Sequence, residues 1–514
     1  MPIKPDPQSP YKWTNEHRTV GTTLDKYFNA YNTTSDLNRA LSAIDILKGA
    51  ARELELLLKN AREANKQFRA QGAGWALNDI AMTMPKGWML WTTNLNGRWD
   101  VSPVHRHPHY SAAKLRNLVL CQGGATIGSL NNYLENGTAN RRAFQTSGIG
   151  NGQTIAGAIS GNTHGSAVRF GATPDYVVGL QLVTGRGKSL WLERASYPVM
   201  SDRFIADLNA DLVRDDDVFA AAQMSLGAFG IIAALVFEAA EIYHLAFPTA
   251  REINQSQLNQ ELKALAKVSN DDETKYYHYE FIFNPYKLNP VLVAAAKKVP
   301  YSGHIPPPKP PRWQLDGAGL IPSDNVPAWV LRLPIPKQIT GYQWKWYRQH
   351  ALLEDWTGTP GQVFSATSSY FKGIVETALA VSIDDAIKAM DISIEIVKEQ
   401  LAPSMCQARV VHPTKSLLGF TRHSPKSVVF EFAMAKGRGH VKFENELRRR
   451  FVDAGIAHTF HWSKNSGLTA AQIRRMYGEE RVTKWLAARD LVFDKDPKLK
   501  KVFDSPHTVR GGLA

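Results

Sequence analysis

The sequence predicts an α+β protein built from more than one structural unit, on three observations. Helix-like and strand-like apolar periodicities alternate through its first half. Glycine is concentrated in one stretch, residues 146–187, with 10 glycines in 42 positions against 37 in the whole chain of 514. The texture then changes near residue 243, beyond which tryptophan and proline become frequent. At about 150 residues per domain, a chain of this length carries two to four units.

Each element has a local reason. Residues 35 to about 66 predict a helix: Ser35 and Asp36 offer capping oxygens, and Leu54, Leu57, Leu58 and Ala61 fall on one face. A short extended run then opens into the tight Gly72-Ala73-Gly74 turn, followed by no long helix. Leu118, Val119 and Leu120 predict a strand ending at Gly123-Gly124, and a helix from Thr126 buries Ile127, Leu130 and Leu134. Residues 176–184 and 189–193 flank the turn at 185–187 as a hairpin. A helix near 215–225 leads into the apolar run 231–239. The middle section, with Pro306, Pro307, Pro308, Pro310 and Pro311 and with Trp313, Trp329, Trp344, Trp346 and Trp356, lacks local periodicity. A strand and helix over 376–400, strands at 405–411 and 427–434, and an amphipathic helix through Tyr477 and Trp485 complete the chain.

Bulk properties narrow the function classes. The content of charged residues (21%) and of AVILMFWYC (44%) excludes a disordered or fibrous protein. Cys121 and Cys406, far apart, form no zinc or disulfide pattern, and the N-terminal segment has no apolar signal region; a cytoplasmic protein is expected. The most apolar run, 226–237, is too short to span a bilayer. The net charge of +14 raises nucleic-acid binding, but the basic residues are spread, with only short clusters such as Arg448-Arg449-Arg450, and no recognition module appears. His105, His107 and His109 stand without a nearby carboxylate or thiolate, so no metal site is expected.

The glycine segment is the most informative feature. Glycine lets backbone N–H groups approach a ligand, and successive N–H groups form anion-binding nests. With Thr154, Asn162, Thr163 and His164, this stretch reads either as backbone packed on a large phosphate-bearing ligand or as a turn-rich segment with none. Two familiar phosphate motifs fail. Gly72-Ala73-Gly74 continues to Leu77 where a dinucleotide fingerprint needs glycine, and Gly187-Lys188-Ser189 has Leu182 where a P-loop needs its first glycine.

The run 153–167, QTIAGAISGNTHGSA, preceded by TSGIGNG, resembles the flavin-binding signature of the vanillyl-alcohol oxidase, or PCMH-type FAD domain, superfamily. The sugar-lactone and alditol oxidases and the flavin cholesterol oxidases are the nearest branches. Five more blocks agree in order: RAQGAGWAL from Arg69, QGGATIGSLNNYLENG from Gln122, DYVVGLQLVTGRG from Asp175, the stretch 219–238, and His461-Trp462-Ser463-Lys464, similar to the family's HWGK. The resemblance implies a two-subdomain FAD-binding domain over 1–242, an inserted α+β cap over 243–455, and a C-terminal segment, 456–514, that completes the FAD domain. It implies that the cofactor is held by Ala70, Gln71, Gly72, Ala73, Gly74, Trp75 and Ala76 in the pyrophosphate loop. Gly148, Ile149, Thr154, Gly157, Gly161, Asn162, Thr163 and His164 in the signature, and Gly230, Ile231, Ile232 and His461 beyond it, complete the set. Covalent members carry a histidine where this chain has Trp75, so the FAD is expected to be non-covalent. Gly148 lies where relatives need a small residue for oxygen to reach the flavin.

The same resemblance supplies a catalytic set. Relatives place a Glu-x-Arg pair on a cap strand; here it is Gln407 and Arg409, which share a strand face while Cys406 and Ala408 point away. Arg409 then offers a fixed cation to the substrate oxygen, or is an ordinary ion-pair arginine. Gln407 can orient a hydroxyl but not take its proton. Glu431 stands where sugar-alcohol relatives carry histidine, flanked by Phe430 and Phe432. It is either a base with a raised pKa or the partner of Arg409. Ala433 replaces a family hydroxyl, which argues against a polyol. Lys464 is placed by analogy beside the flavin pyrimidine or the substrate oxygen, or else is a solvated lysine. The expected function is hydride removal from a CH–OH (or CH–NH) carbon of a bulky, moderately apolar substrate to flavin N5. Oxygen or another acceptor then reoxidises the flavin. The alternatives are a sugar-lactone or alditol oxidase and a catalytically altered flavin-binding protein. The oligomeric state is not legible.

Overall fold

The computed structural model describes the chain except residues 1–2, 7–10, 33–41, 149, 273–274, 307–332, 334, 351–354, 365–372, 403 and 465–466. Ile149, Trp313, Trp329 and most of the proline run therefore lie outside the described residues.

Helix α1 (Ala43–Glu63) starts at Ser42, whose side chain and that of Asp45 form a reciprocal capping box. Leu54, Leu57, Leu58 and Ala61 are all buried, as their spacing predicts. Strand β1 (Phe68–Gln71) edges a four-stranded sheet in the order Ile3–Pro5, Lys26–Tyr31, Trp88–Asn94, β1. A second, six-stranded sheet holds β2 (Leu118–Gln122), followed by α2 (Ile127–Asn136) and the short α3 (Ile155–Ser160). The predicted hairpin is present as β3 (Val177–Val183) and β4 (Leu190–Glu193), antiparallel with Leu180 opposite Leu192. The glycine-flanked apolar run is β5 (Ile231–Glu238), set between β3 and β2. Both are buried along nearly their whole length, which is why they read as continuous apolar runs.

From Tyr243 the chain enters a nine-stranded sheet. Its principal strands are β6 (His278–Asn284), β7 (Lys287–Pro300), β8 (Ile374–Ser382), β9 (Cys406–Val411), β10 (Ser427–Ala435) and β11 (His458–Phe460). Their order is β7-β6-β9-β10-β8-β11, all antiparallel. The middle section is thus more regular than its sequence indicates: β7 spans 14 residues, forming a hairpin with β6 and also pairing with residues 243–246 and 251–253. Helix α4 (Ala386–Glu399) follows β8 as expected. The C-terminal amphipathic pattern is two helices, α5 (Ala470–Tyr477) and α6 (Glu479–Val492), broken at Gly478, whose φ of +83° a helix cannot accommodate. Trp485 is fully buried, its indole N–H donating to Met224 O at 2.9 Å, so this end packs back on the glycine-rich half.

One apolar cluster joins the two sheets, running from Val119, Leu180 and Leu235 to Phe281, Leu379 and Val429. Backbone pairing also stitches them: Val168 N donates to Tyr277 O, Tyr279 N to Ser166 O and His412 N to Ala167 O. The segment that follows the glycine signature is thereby fixed against the sheet carrying Arg409. Cys121 and Cys406 are both buried and unpaired, and among the described residues no helix is long and apolar enough to cross a membrane.

Candidate active site

A cleft of about 1880 Å³, counting its open mouth, runs between the glycine-rich half and the nine-stranded sheet. Its first wall is backbone. Strand β1 delivers Ala70 and Gln71 to the turn Gly72-Ala73-Gly74, and Gly74 has a φ of +71°, which favours glycine. A Cβ on Gly72 would fall 2.1 Å from Thr154 Oγ1, so the two glycine segments meet without room for a side chain. Trp75 lies flat against Gly150 and Gly152, where an added Cβ would come within 2.9 and 2.8 Å of its ring. Thr154 caps α3, accepting from Gly157 N. Gly148, Gly161, Thr163 and His164 continue this wall, and Gly230, Ile231 and Ile232 close it.

The second wall is made of charge. Glu431 Oε2 accepts from Arg409 at 3.0 Å, and its other oxygen is bonded by Lys464. Lys464 also reaches Glu376 at 3.0 Å, and Arg409 Nε stands 3.6 Å from Glu280. The result is an alternating chain, Glu280–Arg409–Glu431–Lys464–Glu376. Strand register assembles it: Gln407 is opposite both Glu431 and Ile282, and Arg409 is opposite Glu280. Lys464 arrives from outside the sheet. The Leu77 N to Ser463 O bond (2.8 Å) and the Asn78 side-chain bond to Trp462 O (2.6 Å) tie the C-terminal block to the turn at 72–77.

The charges decide the ionisation of each group. Burial alone would raise the Glu431 carboxyl, but Arg409 and Lys464 override it and hold it far below the ordinary carboxylate range. Burial would likewise raise Glu280, yet His278, Arg409 and Gln407 bring it down. At Glu376 burial wins, assisted by the Glu431 charge, and its carboxyl is raised despite Lys464. Burial pulls Lys464 down, but Glu376 and Glu431 outweigh it and keep the ammonium charged. Desolvation lowers His164 to about 4 and holds His461 well below its ordinary value, so both are neutral at physiological pH.

Of the residues picked out in sequence, Arg409, Glu431, Lys464, His461 and all the described glycine-wall positions except Asn162 border the cleft. Asn162 is fully buried, and its Oδ1 accepts from Phe420 N at 3.1 Å, fastening the 414–421 loop instead. Gln407 is off the cleft too, its amide donating to Glu280 at 3.1 Å. Lys464 is ion-paired twice rather than solvated. His17, Arg69, Glu280 and Glu376 were not legible as site residues. Glu376 alternates with apolar neighbours on a strand, and only its register opposite Ala433 brings it to the others. The nearest sequence signal was a carboxylate in an otherwise apolar strand, the same signal that marked Glu431. Trp344 and Trp356, from the tryptophan-rich middle section, belong to an apolar core with Tyr243 and Phe247.

The glycine wall with no room for side chains, beside charges able to balance an anionic cofactor, fits FAD. Residues 46–193 match the FAD binding domain family. The chain is 28% identical over 180 residues to the D-arabinono-1,4-lactone oxidase of Saccharomyces cerevisiae, covering 35% of this chain and 28% of that protein. It is 27% identical over 234 residues to the L-gulono-1,4-lactone dehydrogenase of Mycobacterium tuberculosis, covering 46% of this chain and 44% of that protein. The matched regions thus span less than half the length of these relatives. Over 99% of both chains the fold superposes on cholesterol oxidase from B. sterolicum, with TM-score 0.68 and 15% identity. A chitooligosaccharide oxidase superposes over 96% of this chain and 93% of its own, with TM-score 0.61 and 11% identity. The glycine wall and the comparisons agree: this chain carries an FAD binding domain over residues 46–193, and FAD is its cofactor.

Proposed function

We propose that the protein is an FAD-dependent oxidoreductase acting on a CH–OH donor, with Arg409 and Lys464 holding the reacting oxygen and Glu376 taking its proton. The observation that carries this reading is the uneven ionisation of the charge chain. Glu431 and Glu280 are locked as carboxylates by their partners, whereas Glu376 borders the cleft, is the most exposed of the three, and has a raised pKa. A base must be able to accept a proton near working pH, and a carboxylate held by two cations is poorly suited. Glu431 is then the partner that orients Arg409 and Lys464. Bound FAD supplies the hydride acceptor, flavin N5. The chain's own part is to hold the hydroxyl, remove its proton and stabilise the oxygen as charge develops on it.

Anaerobic mixing with candidate alcohols and lactones is expected to bleach the flavin. Glu376→Gln is expected to retain FAD and slow bleaching by about 10²–10⁴-fold, the usual contribution of a positioned base. No bleaching with any CH–OH or CH–NH donor would favour a flavin-binding protein that has lost its chemistry.

A bulky, moderately apolar substrate draws no support from the middle-section tryptophans Trp344 and Trp356, which fill a core. A second reading, oxidation of a sugar lactone or alditol, is favoured by the charged second wall and by what the curated relatives act on. Non-covalent FAD is part of the proposal: Trp75, not histidine, follows the Gly72–Gly74 turn. Acid precipitation is expected to release the yellow chromophore; retention on the protein would sink this point. The domain division at 243 and 456 is proposed on the sheet change at Tyr243 and the return of α6 to the glycine-rich half, with β11 still on the cap sheet. The buried, unpaired cysteines support a reducing, cytoplasmic setting.

A further inference from the structure

Arg69 lies on β1 immediately before the Ala70–Ala76 segment, borders the cleft, and is only 1% exposed. Its guanidinium donates to Ile80 O and Leu226 O, each at 2.7 Å, to Ser505 Oγ at 3.2 Å, and to Gly227 O. All four acceptors are uncharged, and Nε has no partner among the described residues. A guanidinium does not shed its proton to escape burial, so the site must live with the charge.

The neighbouring charges do not cancel it. Asp79 is taken by Arg510 at 2.7 Å and Asp504 by Arg489 at 2.8 Å. Three arginines, Arg69, Arg489 and Arg510, thus share two aspartates, an excess of one positive charge. The excess falls on Arg69, for which no carboxylate lies within ion-pair distance among the described residues. Burial, and then Arg489, pushes Arg69 down to about 10, which leaves it charged at neutral pH. The same side chain pins a turn that shapes the cleft. Gly227 has a φ of +69°, and a Cβ there would sit 2.8 Å from the guanidinium, three residues before Gly230.

We propose that Arg69 is a cofactor-positioning residue, the buried counter-ion of the FAD diphosphate, which also fixes the 226–227 turn against the cleft. The inference rests on FAD being the cofactor and on no step of catalysis. Without flavin, the chain keeps one buried positive charge unneutralised. A phosphate-bearing flavin neutralises it; riboflavin, which shares the ring system but has no phosphate, does not.

The test uses protein stripped of flavin, with FAD and riboflavin affinities measured by fluorescence quenching. In Arg69→Met, FAD affinity is expected to fall about 10- to 100-fold, the scale of a lost charge-assisted interaction, with riboflavin affinity changed by less than about threefold. Arg69→Lys keeps the charge and is expected to keep most of the preference for FAD, although its Tm falls because the forked bonds are lost. Equal losses for both flavins in Arg69→Met, or an Arg69→Lys variant that loses the preference as completely as Arg69→Met, would overturn the proposal. Should Arg69→Met not fold, Asp504→Asn gives an independent handle. It adds one positive charge to the same cluster and is expected to raise the FAD-to-riboflavin affinity ratio; an unchanged ratio would count against the proposal.

Discussion

The two walls of the cleft are built on opposite principles. The glycine wall comes from a few contiguous segments, residues 69–77, 148–164 and 230–232, and presents mostly backbone. The facing wall takes single side chains from separate strands, with Glu376 on β8, Arg409 on β9 and Glu431 on β10, and adds Lys464 from beyond the sheet, while Glu280 on β6 backs Arg409 from outside the cleft. A cofactor of constant shape is matched by close backbone approach, which tolerates little change. A reaction is tuned by charges, which can be exchanged between strands while the sheet stays intact. Here Gln407 stands directly opposite Glu431 on the neighbouring strand, and only Glu431 borders the cleft.

The largest effect that separates the walls is expected from Glu431→Gln. Removing one carboxylate leaves two buried cations short of a partner, a loss of about 3–5 kcal/mol. Urea unfolding should show it, while FAD content stays close to wild type because the glycine wall is untouched. Loss of flavin in proportion to stability would mean the walls are one unit.

Acid comes next. His164 titrates near 4 in the fold against 6.5 in its unperturbed state, and His461 is lowered as well. Between these values the unfolded chain binds more protons, so stability rises with pH there and is lost as pH falls from 6.5 towards 4. His164 alone contributes up to about 3 kcal/mol to that slope. His164→Gln is expected to flatten the dependence of Tm on pH in this window; an unchanged slope would show that the histidine is not held neutral.

The smallest effect is on the glycine side. Gly230 has a φ of +112°, and a Cβ there would approach Val183 O at 2.6 Å. Gly230→Ala is expected to cost about 1–3 kcal/mol and to lower the flavin content of the purified protein without shifting the pH at which activity is lost. A shifted pH profile with full flavin content would reverse the division of labour between the walls.

The difference also explains what could be read from residues alone. The 153–167 block, the turn at Gly72–Gly74 and the hairpin β3–β4 were legible because their signals are local: glycine where backbone must approach, and alternation or an apolar run where a strand is buried. The break between α5 and α6 was missed because Gly478 falls between residues whose helical spacing continues on both sides, Ile473 and Tyr477 before it and Val482 and Trp485 after it. The difference between the two cleft carboxylates was not legible for a different reason. Glu431 and Glu376 look alike in sequence, each a carboxylate within a buried strand. Among the described residues they differ in how many Arg or Lys cations lie within ion-pair distance, two for Glu431 and one for Glu376.

The +14 balance was similarly ambiguous. The chain order of residues settled the FAD-binding wall, because conformational demands such as positive φ and close approach act within a few neighbouring positions. Strand register and chain return decided the rest: which carboxylate is held low by two cations, which is raised by burial, and why Arg69 has no carboxylate within ion-pair distance among the described residues. Ionisation depends on distance and burial, and residues 280, 376, 409, 431 and 464 come within reach of one another only through pairings made far apart along the chain.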